Sequence, residues 1–551
     1  MLNKTELSYR ETGRFNKIVL DYIEGANELK PFYDHLPSIH SFTKVIEERK
    51  KFKTNRELLV RTLQSQYSKL NIYEKVNTNI LKLKESNTYT VTTGHQLCLF
   101  TGPLYFIYKI VDTINLACKL NKQYPEYNFV PVYWMNSEDH DFDEINHINL
   151  FGNKIEWNLK SDGPVGRIKT DSLKGAIDEL QKILGDSSEA KFLINLFEKG
   201  YLQQDNLSLA TRYIVNELFG NYGLVILDPD IKDLKIEFAS FMKDDIINKK
   251  NYELVNLTID QLKAAGYHEQ VKPREINIFY LEENLRARIV QEGNHYKVLD
   301  TEKKFTESEL IKAIDKNPEN FGPNVVTRPL YQELILPNIA YTGGGAEVAY
   351  WLEFKKMFEH HNIPYPVIFL RNSVMIVDEV TSQNIEKYKI NYTELFLDVE
   401  VFIKSFIKKN SNNLLNLDRE KVLLNQLFTD IAIKIGKVHK SLLGLIMAEN
   451  KKQLHGIEHI EHKMMKAEKS RFEIEQNQIK KIYSKLFPNT ILQERHDNFI
   501  QYYLMMGDSF LSSLIENLDG IDKKFIILSK QERGKAKQLN ADDADNYDQY
   551  R

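Results

Sequence analysis

The spacing of apolar residues divides the chain into stretches of different texture. Residues 1–86 are polar, with apolar positions at helical spacing in SFTKVIEERKKFKTNRELLVRTLQSQYSKL, which predicts helices packed on a main body. Between residues 87 and 376, short apolar and β-branched runs alternate with helical stretches. The candidate strands are TYTVTTG, NFVPVYW, GLVILD and PVIFLR. This alternation predicts an α/β core of parallel strands joined by helical crossovers.

A second strand pattern lies inside this core, near residues 274–300. The runs INIFYLE, LRARIVQ and HYKVLD follow one another, separated by Glu-Asn and Glu-Gly-Asn turns. Short strands joined by tight polar turns form antiparallel hairpins. The sequence therefore predicts a small inserted β meander.

Residues 377–486 have hardly a glycine or proline and follow a helical period. Seven apolar residues step by four and three, which is the seam of a coiled coil: Leu424, Phe428, Ile431, Ile435, Val438, Leu442 and Leu445. We expect a long antiparallel helical pair whose spare apolar surface supports a homodimer, with intrachain packing as the alternative. Residues 487–530 are expected to return to the core as a helical segment, and residues 531–551 to form a disordered polar tail.

Composition narrows the possible functions. The net charge of −3 argues against a protein built mainly to bind nucleic acid, which requires a basic surface. No apolar run approaches the ~18 residues of a membrane span, and the amino-terminal residues lack the apolar segment of a secretion signal. Only Cys98 and Cys118 are present, so a disulfide framework is excluded. We expect a cytoplasmic protein without membrane or nucleic-acid partners.

The first candidate site is TVTTGHQLCLFTGPLYFIYK. A strand is expected to end at Thr93-Gly94, and Gly102-Pro103 to open a helix, which is the arrangement that offers free backbone N–H groups to an anion. In this turn the candidate binding and catalytic residues are Gly94, His95, Gln96, Thr101 and Gly102. The alternative is that the glycines only form a tight turn.

Two further residues of this segment are assigned no chemistry. Lys109, two turns into the helix, is expected to be a solvated lysine. Cys98 lies in an apolar run, so a buried structural cysteine is favoured over a nucleophile.

The second candidate site is VPVYWMNSEDHDFDEINH. A dense group of polar residues follows Trp134. The candidate catalytic and binding residues among them are Asn136, Glu138, Asp139, His140 and Asp141. Carboxylates and imidazoles at the end of a strand can act as acid–base groups, hold an amine or bind a divalent metal. The spacing matches no standard metal signature, so no metal is assigned.

The third candidate site is NVVTRPLYQELILPNIAYTGGGAEVAYW. Arg328 is suited to pair with a carboxylate or phosphate. Gly343, Gly344 and Gly345 let a backbone approach a ligand closely, with Glu347 in the following turn, although a flexible turn needs the same residues. Arg371 follows the strand PVIFL. Because these residues end several predicted parallel strands, we expect them to line one cleft.

The helical stretch also carries the segment HGIEHIEH. Its histidines, His455, His459 and His462, share one helical face and have the spacing of zinc ligands. We favour a charged, solvated face over a zinc site.

At these motifs the sequence resembles a known family. TTGHQLCLFTGPLYFIYK, YWMNSEDHDFDEINH, NVVTRPLYQELILPNIAYTGGGAEVAYW and LFPNTILQERHDNF closely resemble the cysteine ligase family of bacillithiol biosynthesis (BshC), in the same order over nearly the whole chain. The resemblance implies a Rossmann-like core similar to class I nucleotidyltransferases and a coiled-coil domain associated with homodimers. The implied reaction joins cysteine to glucosaminyl-malate through an amide bond, with activation by ATP or another nucleotide. The usual His-x-Gly-His signature is replaced here by residues 99–103, so His95, Thr101 and backbone N–H groups would have to substitute for it.

The sequence thus predicts a Rossmann-like nucleotidyltransferase-type α/β core with a small inserted β meander and a long helical coiled-coil domain. We expect a carbon–nitrogen ligase with His95, Glu138, Asp139 and His140 as catalytic candidates. Two alternatives stay open: a nucleotidyltransferase or metal-dependent hydrolase acting on another substrate, and a non-catalytic coiled-coil assembly protein. Whether a metal is required stays open as well.

Overall fold

The structure is a computed structural model that describes residues 2–413 and 415–530. The described chain divides into two compact units. Leu2–Ile376 and Ile491–Leu528 form the first unit, and Val377–Thr490 form most of the second. The predicted tail, 531–551, lies outside the described residues.

The strands are, in chain order, β1 (Leu2–Ser8), β2 (Thr88–His95), β3 (Asn128–Met135), β4 (His147–Leu150), β5 (Asn153–Glu156), β6 (Val225–Leu227), β7 (Ile278–Glu282), β8 (Leu285–Glu292), β9 (His295–Val298), β10 (Lys304–Thr306), β11 (Phe321–Pro323), β12 (Asn338–Gly343), β13 (Val367–Leu370), β14 (Ser373–Val377) and β15 (Lys524–Lys530).

The α-helices of the first unit are α1 (Tyr9–Thr12), α2 (Lys17–Glu24), α3 (Phe42–Lys50), α4 (Arg56–Tyr67), α5 (Glu74–Lys82), α6 (Tyr105–Gln123), α7 (Phe142–Ile145), α8 (Lys174–Leu184), α9 (Ser188–Tyr201), α10 (Leu207–Phe219), α11 (Lys232–Asn248), α12 (Lys250–Ala264), α13 (Glu307–Lys316), α14 (Arg328–Ile335), α15 (Gly345–Glu353) and α16 (Lys355–His361). The second unit contains α17 (Glu379–Lys387), α18 (Val399–Asn410), α19 (Asp418–Gly436), α20 (Leu443–Arg471) and α21 (Glu473–Leu486). The chain then returns to the first unit with α22 (Gln493–His496), α23 (Ile500–Met506) and α24 (Ser509–Asn517).

A five-stranded parallel sheet forms the centre of the first unit, in the order β13-β12-β2-β3-β6. All eight residues of β2 are buried, as expected for a β-branched strand covered on both faces. The register pairs Gly94 with Trp134 and His95 with Met135, so β2 and β3 end side by side. The predicted parallel α/β core is confirmed.

The predicted meander is present as part of a larger antiparallel sheet in the order β10-β9-β8-β7-β11. The predicted runs form β7, β8 and β9. The short edge strands β10 and β11 were not predicted, because three-residue strands carry almost no periodic signal.

Near each end of the described chain, a segment that was predicted to be helical forms a β-strand instead. Leu2–Ser8 lies in the stretch predicted to be helical, and Lys524–Lys530 lies in the predicted carboxy-terminal helical segment. Both belong to a three-stranded sheet in the order β1-β15-β14. Partners hundreds of residues away stabilise these strands, and local spacing cannot show such pairing.

In the second unit, α19 and α20 form an antiparallel pair. Lys421 near the start of α19 bonds Glu461 late in α20 at 2.5 Å, and the Asn450 amide donates to Asn425 Oδ1 at 2.8 Å. The predicted heptad seam is only partly correct. Four of its residues lie half-buried in α19, but α19 ends at Gly436, and Val438 is 81% exposed in the following turn. Apolar spacing gave no sign of where the chain reverses.

The three histidines of α20 do not converge. His455, His459 and His462 are all exposed, and the His455 side chain is 86% accessible. This arrangement is the solvated face that the sequence favoured over a zinc site.

Candidate active site

A cavity of about 600 Å³ lies at the carboxyl end of β3. Trp134 and Met135 at the end of the strand line this cavity, together with Phe279 of β7 and Arg286 of β8. The described lining contains five cationic side chains and three carboxylates. The cations are Lys272, Arg274, Arg286, Arg288 and Arg328, and the acids are Glu138, Asp139 and Asp300. The excess of positive charge suits an anionic ligand.

The loop after β3 is held against Arg286. Arg286 Nη1 donates to His140 Nδ1 at 2.7 Å and lies 3.8 Å from Asp139 Oδ1. Its guanidinium also covers the Phe279 ring, with the carbon 3.9 Å from the ring centroid. Since an arginine only donates, Nδ1 of His140 is the acceptor. The loop and the meander therefore meet through one arginine.

Asp139 is ionised in this setting. Burial alone would raise the pKa of Asp139, but the charge of Arg286 and the hydrogen bonds donated by Gln96 and by the backbone N–H of His140 outweigh it and hold the pKa well below its usual range. Gln96 Nε2 donates to Asp139 Oδ2 at 2.8 Å. Asp139 is therefore a fixed negative charge at the wall of an otherwise basic cavity.

Glu138 lines the same cavity but already has a cationic partner. Lys235 Nζ lies 2.6 Å from Glu138 Oε1 and 2.7 Å from Asp230 Oδ1. Burial would lower the pKa of Lys235, but the two carboxylates raise it, so the ammonium stays charged. This buried pair fixes the backbone of the loop. Glu138 is therefore a less suitable proton acceptor than the sequence alone indicated.

Several buried polar atoms of the cavity lining have no hydrogen-bond partner among the described residues. They are Asn136 Oδ1, Glu138 Oε1, Arg286 Nε and Arg328 Nη2. Glu138 Oε1 is paired with the charge of Lys235 Nζ at 2.6 Å, which leaves the other three atoms without a partner in the described part of the chain. Leaving such atoms unsatisfied is costly in a folded protein, so a ligand or water is expected to complete them. One acceptor and two cationic donors match a ligand that carries both a carboxylate or phosphate and a donor group.

The glycine turn after β2, residues 94–103, is closed rather than open to an anion. Three consecutive N–H groups donate within the protein: Phe100 to Tyr201 Oη at 2.7 Å, Thr101 to the Cys98 carbonyl at 3.1 Å and Gly102 to the Leu99 carbonyl at 2.8 Å. The helix α6 begins at Tyr105 rather than at Pro103, and Leu104 N donates to the Asp497 carbonyl at 2.8 Å. The N–H groups of Thr101 and Gly102 are therefore not available to an anion in the way that the sequence predicted.

His95 is buried inside this closed turn. Its ring stacks on Phe106 with centroids 4.9 Å apart, and it does not line the cavity. Burial and the nearby charges of Lys109 and Arg371 lower its pKa, so the ring is neutral. Cys98 Sγ lies 3.8 Å from His95 Nε2, but burial raises the pKa of the thiol to about 12, which disfavours the reactive thiolate.

Lys109 is buried, contrary to the prediction of a solvated lysine. Its ammonium donates to the Gly94 carbonyl and lies 2.7 Å from Glu347 Oε2. Glu347 also accepts from Gly344 N at 2.8 Å and from Tyr341 Oη at 2.5 Å. Because all these partners are internal, Glu347 ties the ends of β2 and β12 together. None of the three glycines, Gly343 to Gly345, lines the cavity.

Arg371 and Asp141, which were predicted to bind substrate or nucleotide, also lie outside the cavity lining. Arg371 forms a buried double hydrogen bond with Glu494, at 2.9 and 2.8 Å. Burial would lower the pKa of Arg371, but the Glu494 carboxylate raises it. Asp141 is exposed before α7 and lies outside the cavity lining. The anionic partner of Arg371 lies more than a hundred residues away, so the local sequence gave no sign of it.

Of the predicted residues, the cavity unites five: Asn136, Glu138, Asp139, His140 and Arg328. The sequence missed the cations of the meander, Lys272, Arg274, Arg286 and Arg288. A signal was present, because Arg286 and Arg288 occupy alternate positions of one strand and alternate positions share a face. Two arginines on one face of a short inserted strand indicate a charged surface that the sheet presents to a ligand.

Family models match both parts of the chain. The model described as the bacillithiol biosynthesis BshC N-terminal Rossmann-like domain matches residues 2–372, and the C-terminal coiled-coil domain of the same family matches residues 374–530. Among the described helices, none combines the length and the apolar character needed to cross a bilayer.

Full-length relatives agree with the family models. Three relatives, each named "Putative cysteine ligase BshC", come from Flavobacterium psychrophilum, Flavobacterium johnsoniae and Christiangramia forsetii. They are 44%, 42% and 42% identical to this chain, over 95% of it and 98–99% of their own lengths. With both domains matched in order and close relatives over the full length, the chain belongs to the bacillithiol biosynthesis BshC family.

Proposed function

We propose that this protein is the cysteine ligase of bacillithiol biosynthesis, acting in the cytoplasm. It joins the carboxyl group of cysteine to the amine of glucosaminyl-malate as an amide. The observation that supports this proposal best is the basic cavity with its three unpartnered polar atoms, in a chain whose relatives carry the ligase name.

The cavity chemistry fits the amine substrate. The malate part of glucosaminyl-malate carries carboxylates, which match the guanidinium groups of Arg286 and Arg328 in charge and in planar geometry. The amine, as an ammonium, is attracted by the Asp139 carboxylate. Asn136 Oδ1, which has no partner among the described residues, can accept a hydroxyl or ammonium proton. The cavity thus offers one complementary group for each polar part of the substrate.

His140 is the proton acceptor in this proposal. The amine must lose a proton before its nitrogen can attack the cysteine carbonyl carbon. In the structure, Arg286 Nη1 donates to Nδ1 of His140. When a substrate carboxylate engages Arg286, that nitrogen is released and can take the proton as the carbon–nitrogen bond forms. Substrate binding and activation of the base are therefore linked through one arginine.

A nucleotide is the proposed source of driving force, because amide formation from a free carboxylate is unfavourable in water. ATP would transfer a phosphoryl or adenylyl group to one oxygen of the cysteine carboxylate. When the amine nitrogen then bonds to the carbonyl carbon, the bond from that carbon to the activated oxygen would break, and the oxygen would leave with the transferred group as phosphate or AMP. The residues present fit a polyanion through the positive charge of the cavity. They fit one less well at the glycine turn, where the N–H groups of residues 100–102 already have partners. The phosphates would therefore be held by meander cations such as Arg274 and Arg288.

The test is reconstitution with the purified full-length protein. Labelled cysteine, glucosaminyl-malate and ATP are supplied, and bacillithiol is measured by mass spectrometry. We expect product that requires all three substrates and that falls sharply in Asp139→Asn and His140→Ala. The control is His295→Ala, an exposed histidine on β9. If product forms at the unmodified rate in both cavity variants, the proposed site is wrong, and if no bacillithiol forms, the proposed reaction is wrong.

We also propose that the protein forms a homodimer through its helical unit. The pair α19–α20 leaves large apolar side chains exposed, among them Val422, Leu427, Ile433, Leu445 and Met447. Large apolar side chains exposed along a pair of helices are typical of a protein interface. Leu427→Lys together with Met447→Lys should shift the protein from dimer to monomer in light scattering. A dimer that survives this double change would contradict the proposed interface.

A further inference from the structure

A second group of potential ligands lies where α11 meets the end of α16. Asp244 belongs to α11, and His360 and His361 are the last two residues of α16. One ligand atom from each residue lies within 4.8 Å of the other two. None of the three residues lines the basic cavity. In residues 2–413 and 415–530 this is the one group of three histidine, cysteine or acidic side chains that converge in this way.

Asp244 presents an unsatisfied oxygen. Its Oδ1 accepts from the Asn248 amide at 2.6 Å. Its Oδ2 is buried and has no hydrogen-bond partner among the described residues. A buried carboxylate oxygen without a partner is costly, and a bound cation would satisfy it.

His361 is oriented by a chain of buried hydrogen bonds. Its Nε2 lies 2.8 Å from Asn251 Oδ1, and the Asn251 amide donates to Asp245 Oδ1 at 3.0 Å. Asp245 in turn accepts from Asn277 N at 2.5 Å. Because an amide oxygen only accepts, Nε2 carries the ring proton, and the lone pair is on Nδ1. Histidine ligands of metals are usually held in this manner, by donating their other N–H to a fixed oxygen.

The remaining features fit the same use. The ring of His360 lies 4.9 Å from that of His361, between centroids, and His360 is exposed at the end of its helix. Its side chain is therefore free to rotate toward an ion.

We propose that Asp244, His360 and His361 bind one divalent transition-metal ion of the zinc class, which links α11 to α16. Two imidazoles and one carboxylate favour zinc, cobalt or nickel over magnesium or calcium, which prefer oxygen ligands. Zinc–ligand distances of ~2.0–2.1 Å require the ligand atoms to approach to about 3.3 Å from one another. Rotation of the exposed His360 side chain supplies most of this movement. A water molecule would complete the tetrahedron.

The site is expected to stabilise the fold rather than to carry out the ligation. The ion would bind the folded chain and not the unfolded one, so it raises the melting temperature. This inference does not depend on the reaction proposed for the cavity. It can be tested without measuring product.

The experiment uses tag-free, full-length protein freed of metal with a chelator. Zinc chloride is titrated in by calorimetry, and cobalt chloride is added while visible absorption is recorded, because tetrahedral cobalt absorbs strongly. We expect one equivalent of zinc to bind and to raise the melting temperature, with no such shift from magnesium chloride. His360→Ala and Asp244→Asn should each weaken zinc binding by about tenfold or more. The His455→Ala control removes a fully accessible histidine of α20 and should bind zinc like the unmodified protein.

Each outcome decides the question. Circular dichroism of His360→Ala verifies folding, which the exposed position of that residue favours. If extra zinc binds elsewhere, the two variants should still lose one equivalent. The proposal is overturned if the unmodified protein binds no zinc, or if both variants keep its stoichiometry and affinity.

Discussion

Two neighbouring strand ends of the parallel sheet carry polar segments that looked equally suited to ligand binding, and only one of them is open. The loop after β3 faces a cavity of about 600 Å³ and includes a buried oxygen, Asn136 Oδ1, without a partner among the described residues. In the turn after β2, residues 94–103, the N–H groups of residues 100–102 are bonded internally and the histidine is stacked on Phe106. The difference lies in which polar groups the fold has already satisfied. Substitutions in the closed turn and its support should act on stability, and substitutions in the open loop should act on activity.

The largest effect is expected from breaking the buried pair that supports the closed region. Glu494→Gln leaves the Arg371 guanidinium buried without its countercharge, and both side chains are nearly inaccessible. Removing one partner of such a pair costs about 3–5 kcal/mol of unfolding free energy. Urea unfolding followed by circular dichroism measures this loss. Glu24→Gln, in the exposed pair with Arg10, is the control and should unfold nearly as the unmodified protein does. Equal stability of the two variants would contradict a structural role for Arg371.

The next effect is expected in the open region. Arg286→Ala removes the group that contacts both His140 and Asp139, and it should lower kcat/KM for glucosaminyl-malate by about 10²–10³-fold. Arg286→Lys keeps the charge but not the planar fork, so it should recover only part of the activity. Steady-state kinetics and an unfolding curve for each variant separate activity from stability. A stable Arg286→Ala enzyme with full kcat/KM would show that the cavity is not the active site.

A smaller effect is expected at Gly102 in the closed turn. Its φ is +68°, and an added Cβ would lie 2.5 Å from the Cβ of Cys98. Gly102→Ala should therefore lower the unfolding free energy by about 1–3 kcal/mol through strain and overpacking. Gly175 in α8 has no atom within 4 Å of an added Cβ, so Gly175→Ala should leave stability unchanged or raise it. Thermal unfolding compares the two variants. Equal losses at both positions would argue against the packing described for the turn.

The same comparison shows how far the sequence could go. Strand spacing predicted β2, β3, β6 and β13 and the meander because burial on both faces or on alternate positions leaves a local pattern. Composition also led to Asp139 and His140, since a dense polar loop after a strand is a local feature. The closure of the glycine turn was not predictable, because it depends on Tyr201 and Asn498, which are distant in sequence. Lys109 and Arg371 were misjudged for the same reason: their carboxylate partners are Glu347 and Glu494.

A difference in pH dependence separates the two regions by its sign rather than by its size. Asp112 lies behind the closed turn on α6, and burial raises its pKa to about 7, although Asn372 N donates to it. Its folded-state pKa is above the unfolded value of about 3.9, so the stability it contributes is full below pH ~4 and is lost as the pH rises to about 7. Asp139 has the opposite shift, and its contribution is present above pH ~4 and is lost as the pH falls further.

Asp112→Asn and Asp139→Asn should therefore change the pH profile of stability in opposite directions. Urea unfolding between pH 3 and 8 gives the free-energy difference between each variant and the unmodified protein. As the pH rises from ~4 to ~7, the unfolding free energy of the unmodified protein should fall relative to that of Asp112→Asn. For Asp139→Asn, the difference should be flat over that range and should change only below pH ~4. If the free-energy difference changes with pH in the same way for both variants, the two carboxyl groups share one kind of environment. That result would contradict the contrast between an open loop and a closed turn.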